Sequence, residues 1–374
     1  MRTGFTDEVK AMTHQDSPLG TAPVGKLVLQ LAIPAMLAQF VNILYSVVDR
    51  MYVGHIAEVG ADALAGVGVC APVVTMITAI GALIGFGGGP LMSIRMGRRD
   101  MDGARQIAAN SFYLLLALSV LATVLSQVCS TAYILRFLLG GKAAVGITRQ
   151  PVNPGWMRRL VQVGLSPAMI IALDNVLLIS VNVMLRKYGG ADSDMLIACA
   201  AVMQSFMLII TMPLGGITAG TQSILGYNYG AGNTKRILQA FRSIILLCLV
   251  FCGVMFAIAQ TVSGSFVRIF TKDPVYIDMA SYMIRTYSLG VLGLAVQYPA
   301  VDGMTGMGLI RWGLTFSMLR KGLFLVCVFV LPPLFGATAV MFSEPVSDIT
   351  AAVFSAGGLA FVLPKLMRKR EAEG

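Results

Sequence analysis

Nine stretches of this chain are long and apolar enough to cross a bilayer: residues 27–53, 65–94, 107–139, 160–185, 196–225, 237–262, 279–304, 322–342 and 346–364. A hydrocarbon core about 30 Å thick takes roughly 20 apolar residues per helix. No water bonds the backbone inside that core, so a spanning segment is either a helix or one strand of a closed barrel. The two-residue alternation of a barrel is missing here. The sequence therefore reads as an all-α polytopic membrane protein of about nine transmembrane helices, multi-pass in the cell membrane. Composition agrees, with 56% hydrophobic and only 12% charged residues, against about 25% charged in a soluble protein.

The net charge of +10 lies between the spans and at the C-terminus, in "KLMRKREAEG", as membrane topology demands. No basic face with interleaved aromatics stands free of the spans, so nucleic acid is not an expected partner; membrane lipid is. The six cysteines show no metal-ligand spacing, and Cys248 and Cys252, at i and i+4 within a span, read as small core residues. Only His14 and His55 are available, which excludes a histidine-rich metal site. No resident cofactor is expected. There is no HExxH, no GxSxG and no second histidine placed to assist a nucleophile, so the chain does not read as an enzyme. Residues 1–25 are polar and lack the apolar core of a cleavable signal, so the first span is expected to serve as the insertion signal.

Sliding the sequence on itself reveals a repeat. The segment "LVLQLAIPAMLAQFVNILYSVVDRM" falls on "LVQVGLSPAMIIALDNVLLISVNVM". Pro34 lands on Pro167, Asn42 on Asn175 and Asp49 on Asn182; without a gap, Gly87 then lands on Gly220 and Gly97 on Gly230. Both copies follow their second span with basic residues: Arg95, Arg98, Arg99 and Arg105 in one, Lys235, Arg236 and Arg242 in the other. Both loops read as cytoplasmic, so the repeat is parallel, with its two-fold axis along the membrane normal and the substrate path between the lobes. The expected organisation is a polar cytoplasmic N-terminus (1–25), an incomplete three-helix first lobe (26–140), a linker (141–156), a six-helix second lobe (157–366) and a basic cytoplasmic tail (367–374). Three spans leave the chain outside, yet the linker is basic and the second lobe must start inside. Either the third span does not cross once, or the first lobe inverts, or helices have been lost internally from a longer ancestor; the last is favoured, because inversion would put four arginines outside. Residues 309–322, "LIRWGLTFSMLRKG", read as an amphipathic helix on the membrane surface or as a short polar loop entering the eighth span.

The chain resembles the multidrug and toxic compound extrusion (MATE) family of antiporters at "LAIPAMLAQFVNILYSVVDRMYVGH", "GGGPLMSIRMGRRD", "GTQSILGYNYGAGNTKR" and "SEPVSD". The family pattern is twelve helices in two six-helix lobes, so helices four to six of the first lobe have no counterpart. The resemblance implies a V-shaped bundle that exports small-molecule organic cations and other amphipathic compounds, driven by inward flow of protons or sodium. It also implies that Asp49 holds the position of the acidic residue of the family's first helix, which is implicated in proton or cation binding.

Ionisable groups within spans are functional candidates by default. Asp49 either picks up and releases a cation or proton as its exposure alternates, or sits at the outer end of its span near headgroups. Arg50 does not neutralise it, because neighbours at i and i+1 do not share a helix face. Asp174 with Asn175, and Asp302, lie on two helices of one lobe and either bind a coupling cation between them or hydrogen-bond neighbouring helices. Asn42, Gln204 and Gln222 line the substrate cavity or bridge helices. Pro34 and Pro167 kink their helices. The 23 methionines fit either an adaptable cavity or a methionine-rich core. Tyr227 and Tyr229 read as interfacial anchors. A flippase for lipid-linked sugars would favour a basic cavity, whereas the placed charges are mainly acidic; a transport-inactive relative is the other alternative. Homo-oligomerisation is left open.

Overall fold

A computed structural model describes residues 18–54, 87–119 and 154–365 of the chain. After a single turn at Pro18–Thr21, the helices are α1 (Val24–Gly54), α2 (87–97), α3 (Met101–Ser119), α4 (Pro154–Tyr188), α5 (Ser193–Gly230), α6 (Thr234–Val267), α7 (Pro274–Tyr287), α8 (Val291–Gly306), α9 (Ile310–Phe335) and α10 (Ser343–Gly357). Everything regular among the described residues is helical. Five of these helical stretches are long and apolar enough to cross a membrane on length and composition. The parts of the second and third spans, the linker and the termini outside the described ranges carry the open topological question of residues 107–156.

Helix ends follow local chemistry. The Asp273 side chain accepts a hydrogen bond from the Val275 amide at 2.9 Å, and Pro274 occupies the first turn of α7, where a missing N–H costs nothing. The Asn233 side chain caps α6 by accepting from the Arg236 amide. The outward faces are apolar: Leu246, Val254, Leu334 and Val353 are all more than half exposed. In lipid that exposure costs nothing, and close packing rather than water exclusion holds the helices together.

Most of the helices share one buried core, and Leu91 of α2 with Ile107 of α3 forms a second, small cluster beside it. α5 is its spine, with α1 lying along it where Gly216 and Gly220 face Ala35 and Leu31. Further along α5, a Cβ on Gly97 would overlap the Tyr227 carbonyl, and a Cβ on Gly230 would overlap the Ile94 carbonyl. Gly97 and Gly230 are repeat equivalents, and so are Ile94 and Tyr227. The two clashes are thus one contact seen twice, the reciprocity that a two-fold relation produces. Ser93 likewise meets its own equivalent, Gly226.

Three expectations change. Residues 309–322 are neither a surface helix nor a loop. From Ile310 on they are the first turns of α9, with Lys321 3% exposed and Arg320 13% exposed. The reason is that both cations point inward to carboxylates rather than outward to headgroups. The expected seventh span is two helices, α7 and α8, joined by a 3-10 turn at Ser288–Gly290. The eighth ends early, at Phe335 after the Pro332-Pro333 pair, and a 3-10 segment, Ala337–Phe342, leads into α10. Cys248 and Cys252 are fully buried free thiols, and Met203, Met283, Met304 and Met341 are fully buried core residues.

Candidate functional site

The ionisable groups gather where α9 passes between α4 and α10. Two consecutive residues of α9 point to different neighbours, because successive side chains on a helix lie about a quarter-turn apart. Lys321 Nζ forms an ion pair with Asp174 Oδ1 of α4. The pair is lopsided: the lysine side chain is 3% exposed and the aspartate 55% exposed. Arg320 turns instead to α10, where its Nη1 donates to Glu344 Oε1 at 3.1 Å and to Asp348 Oδ1 at 2.9 Å. Glu344 and Asp348, at i and i+4, share one face of α10. The Tyr287 hydroxyl of α7 donates to Glu344 Oε2 at 3.2 Å.

Asp302 lies elsewhere in the same bundle. It is half-buried on α8 and accepts a hydrogen bond of 2.5 Å from the Thr218 hydroxyl of α5. Asp174 and Asp302 thus have separate partners, Lys321 for one and Thr218 for the other. In this structure the two carboxylates share no partner. Asn175 is half-buried beside Asp174, Gln204 is half-buried, and Asn42 is exposed. Gln222 is 5% exposed and packs against Gly306, and its amide nitrogen has no hydrogen-bond partner among the described residues. Asp49 falls within α1, but its side chain lies outside the described residues.

A cavity of about 580 Å³ lies away from these carboxylates, at the basic end of the molecule, lined by Gly20, Thr21, Arg98, Arg99, Tyr227 and Asn233 among others. Asn228 and Arg236 tie the N-terminal turn across it: Asn228 Nδ2 donates to the Leu19 carbonyl at 2.9 Å, and Arg236 Nη2 to the Ala22 carbonyl at 2.6 Å. Tyr227 is therefore a packing surface for this turn, against Gly20, as well as a helix-end residue. Nearby, Asp100 accepts from the Gly103 amide at 2.8 Å and from Arg95 at 2.5 Å. The backbone bond, together with Arg95 and Arg98, holds its carboxyl below the usual carboxylate range.

Sequence reasoning named Asp174 and Asp302 but passed over Arg320, Lys321, Glu344 and Asp348 as site residues. A usable signal was present. Arg320 and Lys321 follow the mostly apolar stretch 312–319 and lead straight into the run 322–342, which sets them within a span, and the acids of "SEPVSD" sit at i and i+4. Charges at that depth need one another.

The MatE family model matches residues 34–150 and 168–330. Multidrug export protein MepA of Staphylococcus haemolyticus is 19% identical over 428 aligned positions, covering 87% of this chain and 91% of that protein. MepA of Staphylococcus aureus is 20% identical over 258 positions; that match covers 67% of this chain and 54%, about half, of the relative. Two solved structures share the fold. One is an outward-facing multidrug resistance MATE family transporter of the MOP superfamily (TM-score 0.85, 18% identity, 94% of this chain and 98% of that one). The other is a MOP superfamily transporter from Pyrococcus furiosus described as having a binding pocket of reverse polarity (TM-score 0.86, 17% identity, 94% and 98%).

Proposed function

The chain belongs to the MatE family, and from that membership we propose that it is a cation-coupled efflux antiporter for organic cations and other amphipathic compounds, driven by protons or sodium. Its relatives are named as multidrug export proteins, which supports small-molecule cargo. The observation that carries the coupling is the lopsided pair of Asp174 and Lys321. A carboxylate 55% exposed in the middle of an apolar helix needs a cation or water to face. A positively charged substrate or a coupling ion competes with the Lys321 ammonium for one carboxylate, so only one of them is held at a time. Exclusive occupancy of a shared charge is the minimum requirement for exchange, because a ligand shifts a conformational equilibrium only through differential interaction with its states.

In this reading Asp174, Asn175 and Asp302 form the coupling group of the second lobe, and Asp49 that of the first. Asn42 and Gln204 line the path, with Gln222 buried against Gly306. The test is efflux of ethidium from proteoliposomes under an imposed proton or sodium gradient, comparing the native chain with Asp49→Asn, Asp174→Asn and Asp302→Asn. Gradient-dependent efflux, lost in one of the variants, supports the reading and identifies the lobe that couples. A transport-inactive relative is the second reading, favoured by Lys321 already filling Asp174. No efflux from folded, monodisperse native protein would decide for it.

A further inference from the structure

We propose that Glu344 and Asp348, bridged by Arg320, hold one proton between them and form a proton-binding site in the α7–α10 core, separate from Asp174 and Asp302. The first ground is charge balance. Arg320, Glu344 and Asp348 are 13%, 17% and 1% exposed, so all three are withdrawn from solvent. A single guanidinium nitrogen serves both carboxylates, at 3.1 and 2.9 Å. Lys321, the other cation that faces Asp348, is paired with Asp174. Two carboxylates against one guanidinium leave an excess negative charge in a place where an uncompensated charge is expensive, and a carboxyl group so placed neutralises by taking up a proton.

The second ground is where the hydrogen bonds run out. Glu344 Oε2 is satisfied by the Tyr287 hydroxyl, and Asp348 Oδ1 by Arg320. Asp348 Oδ2 is buried without a hydrogen-bond partner among the described residues. A bare carboxylate oxygen with no donor is the costliest way to bury this group; a neutral carboxylic acid with its proton on Oδ2 is far cheaper.

The third ground is the shape of the pocket. Asp348 lodges in the break between α7 and α8, and a Cβ on Gly290 would come 2.8 Å from Oδ2 and 2.9 Å from Pro345 Cα. The glycine at the end of the Ser288–Gly290 turn is what admits the carboxyl. Interrupted helices of this kind are where membrane transporters seat their coupling ions.

The charged and titratable groups facing Asp348 are Arg320 and Lys321 from α9, Glu344 from α10, Tyr287 from α7, Tyr298 from α8 and Cys252 from α6. Tyrosine and cysteine are neutral at physiological pH, so they leave the balance unchanged. A proton fits this site better than a metal ion, because a guanidinium already hydrogen-bonded to both carboxylates repels a second localised cation. Charge balance carries the site; its use in driving exchange rests on the antiport reading above.

The test is infrared spectroscopy of the purified full-length chain in detergent, following the carbonyl stretch that only a protonated carboxyl group gives. Native protein at neutral pH is expected to show this component. It is expected to be lost in Asp348→Asn and in Glu344→Gln, where one carboxylate and one guanidinium pair without a proton. It is expected to persist in Asp302→Asn, whose carboxyl bonds Thr218 and has no part in the charge balance around Arg320. Each of the two site variants leaves Arg320 with a counter-charge, so both are expected to stay monodisperse, and either alone suffices as the readout. Absence of the component from native protein, or its undiminished presence in a folded site variant, would overturn the proposal. Loss of the component when sodium is added at constant pH would reassign the site to a metal cation. Because no transport is measured, failure here is distinct from failure of the efflux assay.

Discussion

Replacing either partner of the Asp174–Lys321 pair should have unequal consequences, and the inequality follows from which partner is buried. In Asp174→Asn the ammonium of Lys321, 3% exposed, loses its counter-charge and keeps its burial. Breaking a buried pair this way costs about 3–5 kcal/mol. In Lys321→Met the orphan is Asp174, 55% exposed, which on the antiport reading faces the aqueous path; losing a water-exposed pair costs about 1 kcal/mol or less. Methionine is also close to lysine in length and packs well in an apolar site. The difference is about 3 kcal/mol, and at about 2–4 °C per kcal/mol the two variants should separate by on the order of 10 °C in midpoint temperature. The assay is the fraction remaining monodisperse after graded heating in one detergent, with native protein alongside. The double variant removes both charges and should recover most of the loss, since matched apolar or neutral replacements of a buried pair are well tolerated. Equal destabilisation by the two single changes, or a larger loss in Lys321→Met, would refute the argument that burial on the lysine side governs the pair.

Three further outcomes are expected. Gly97→Ala and Gly230→Ala place a methyl group against reciprocal carbonyls of the same helix crossing, so each should destabilise by about 1–3 kcal/mol or more and lower the yield of monodisperse protein to a similar extent; a neutral result in either would break the reciprocity. Thr218→Val deletes the hydroxyl bonded to Asp302 at 2.5 Å and should cost about 1.5–3 kcal/mol, the range for a hydrogen bond to a charged group, in the same heating assay, while Thr218→Ser should stay near native. Asp100 sits outside the spans with its carboxyl held below the ordinary aspartate value of about 3.9. Its contribution is therefore present above that value and is lost as pH falls through its lower folded one, so Asp100→Asn should flatten the acid limb of stability against pH.

Much of the fold was legible in the sequence. The apolar runs that fall within the described residues declared helices because lipid leaves a backbone no other partner than itself. The coincidence of Gly97 with Gly230 declared a repeat, and the structure finds those residues in reciprocal contact. Asp174 and Asp302 were visible as candidates because a carboxylate in an apolar run is conspicuous by composition alone. Arg320 and Lys321 are equally conspicuous, but one amphipathic stretch serves a surface helix, a loop entering a span and a buried helix alike until its neighbours are known.

What the sequence by itself determined is the inventory: helical segments, their number of charges, and the equivalence of two halves. What only the tertiary structure decided is the pairing. Asp174 meets Lys321 across 147 positions of chain and Arg320 meets Asp348 across 28, while Asp302 turns to Thr218, 84 positions away. A helix fixes the direction of each side chain relative to its own axis, but the identity of the group opposite depends on how separate helices cross. In this protein one quarter-turn of α9 separates a cation that serves α4 from a cation that serves α10, and no local pattern of residues records that division.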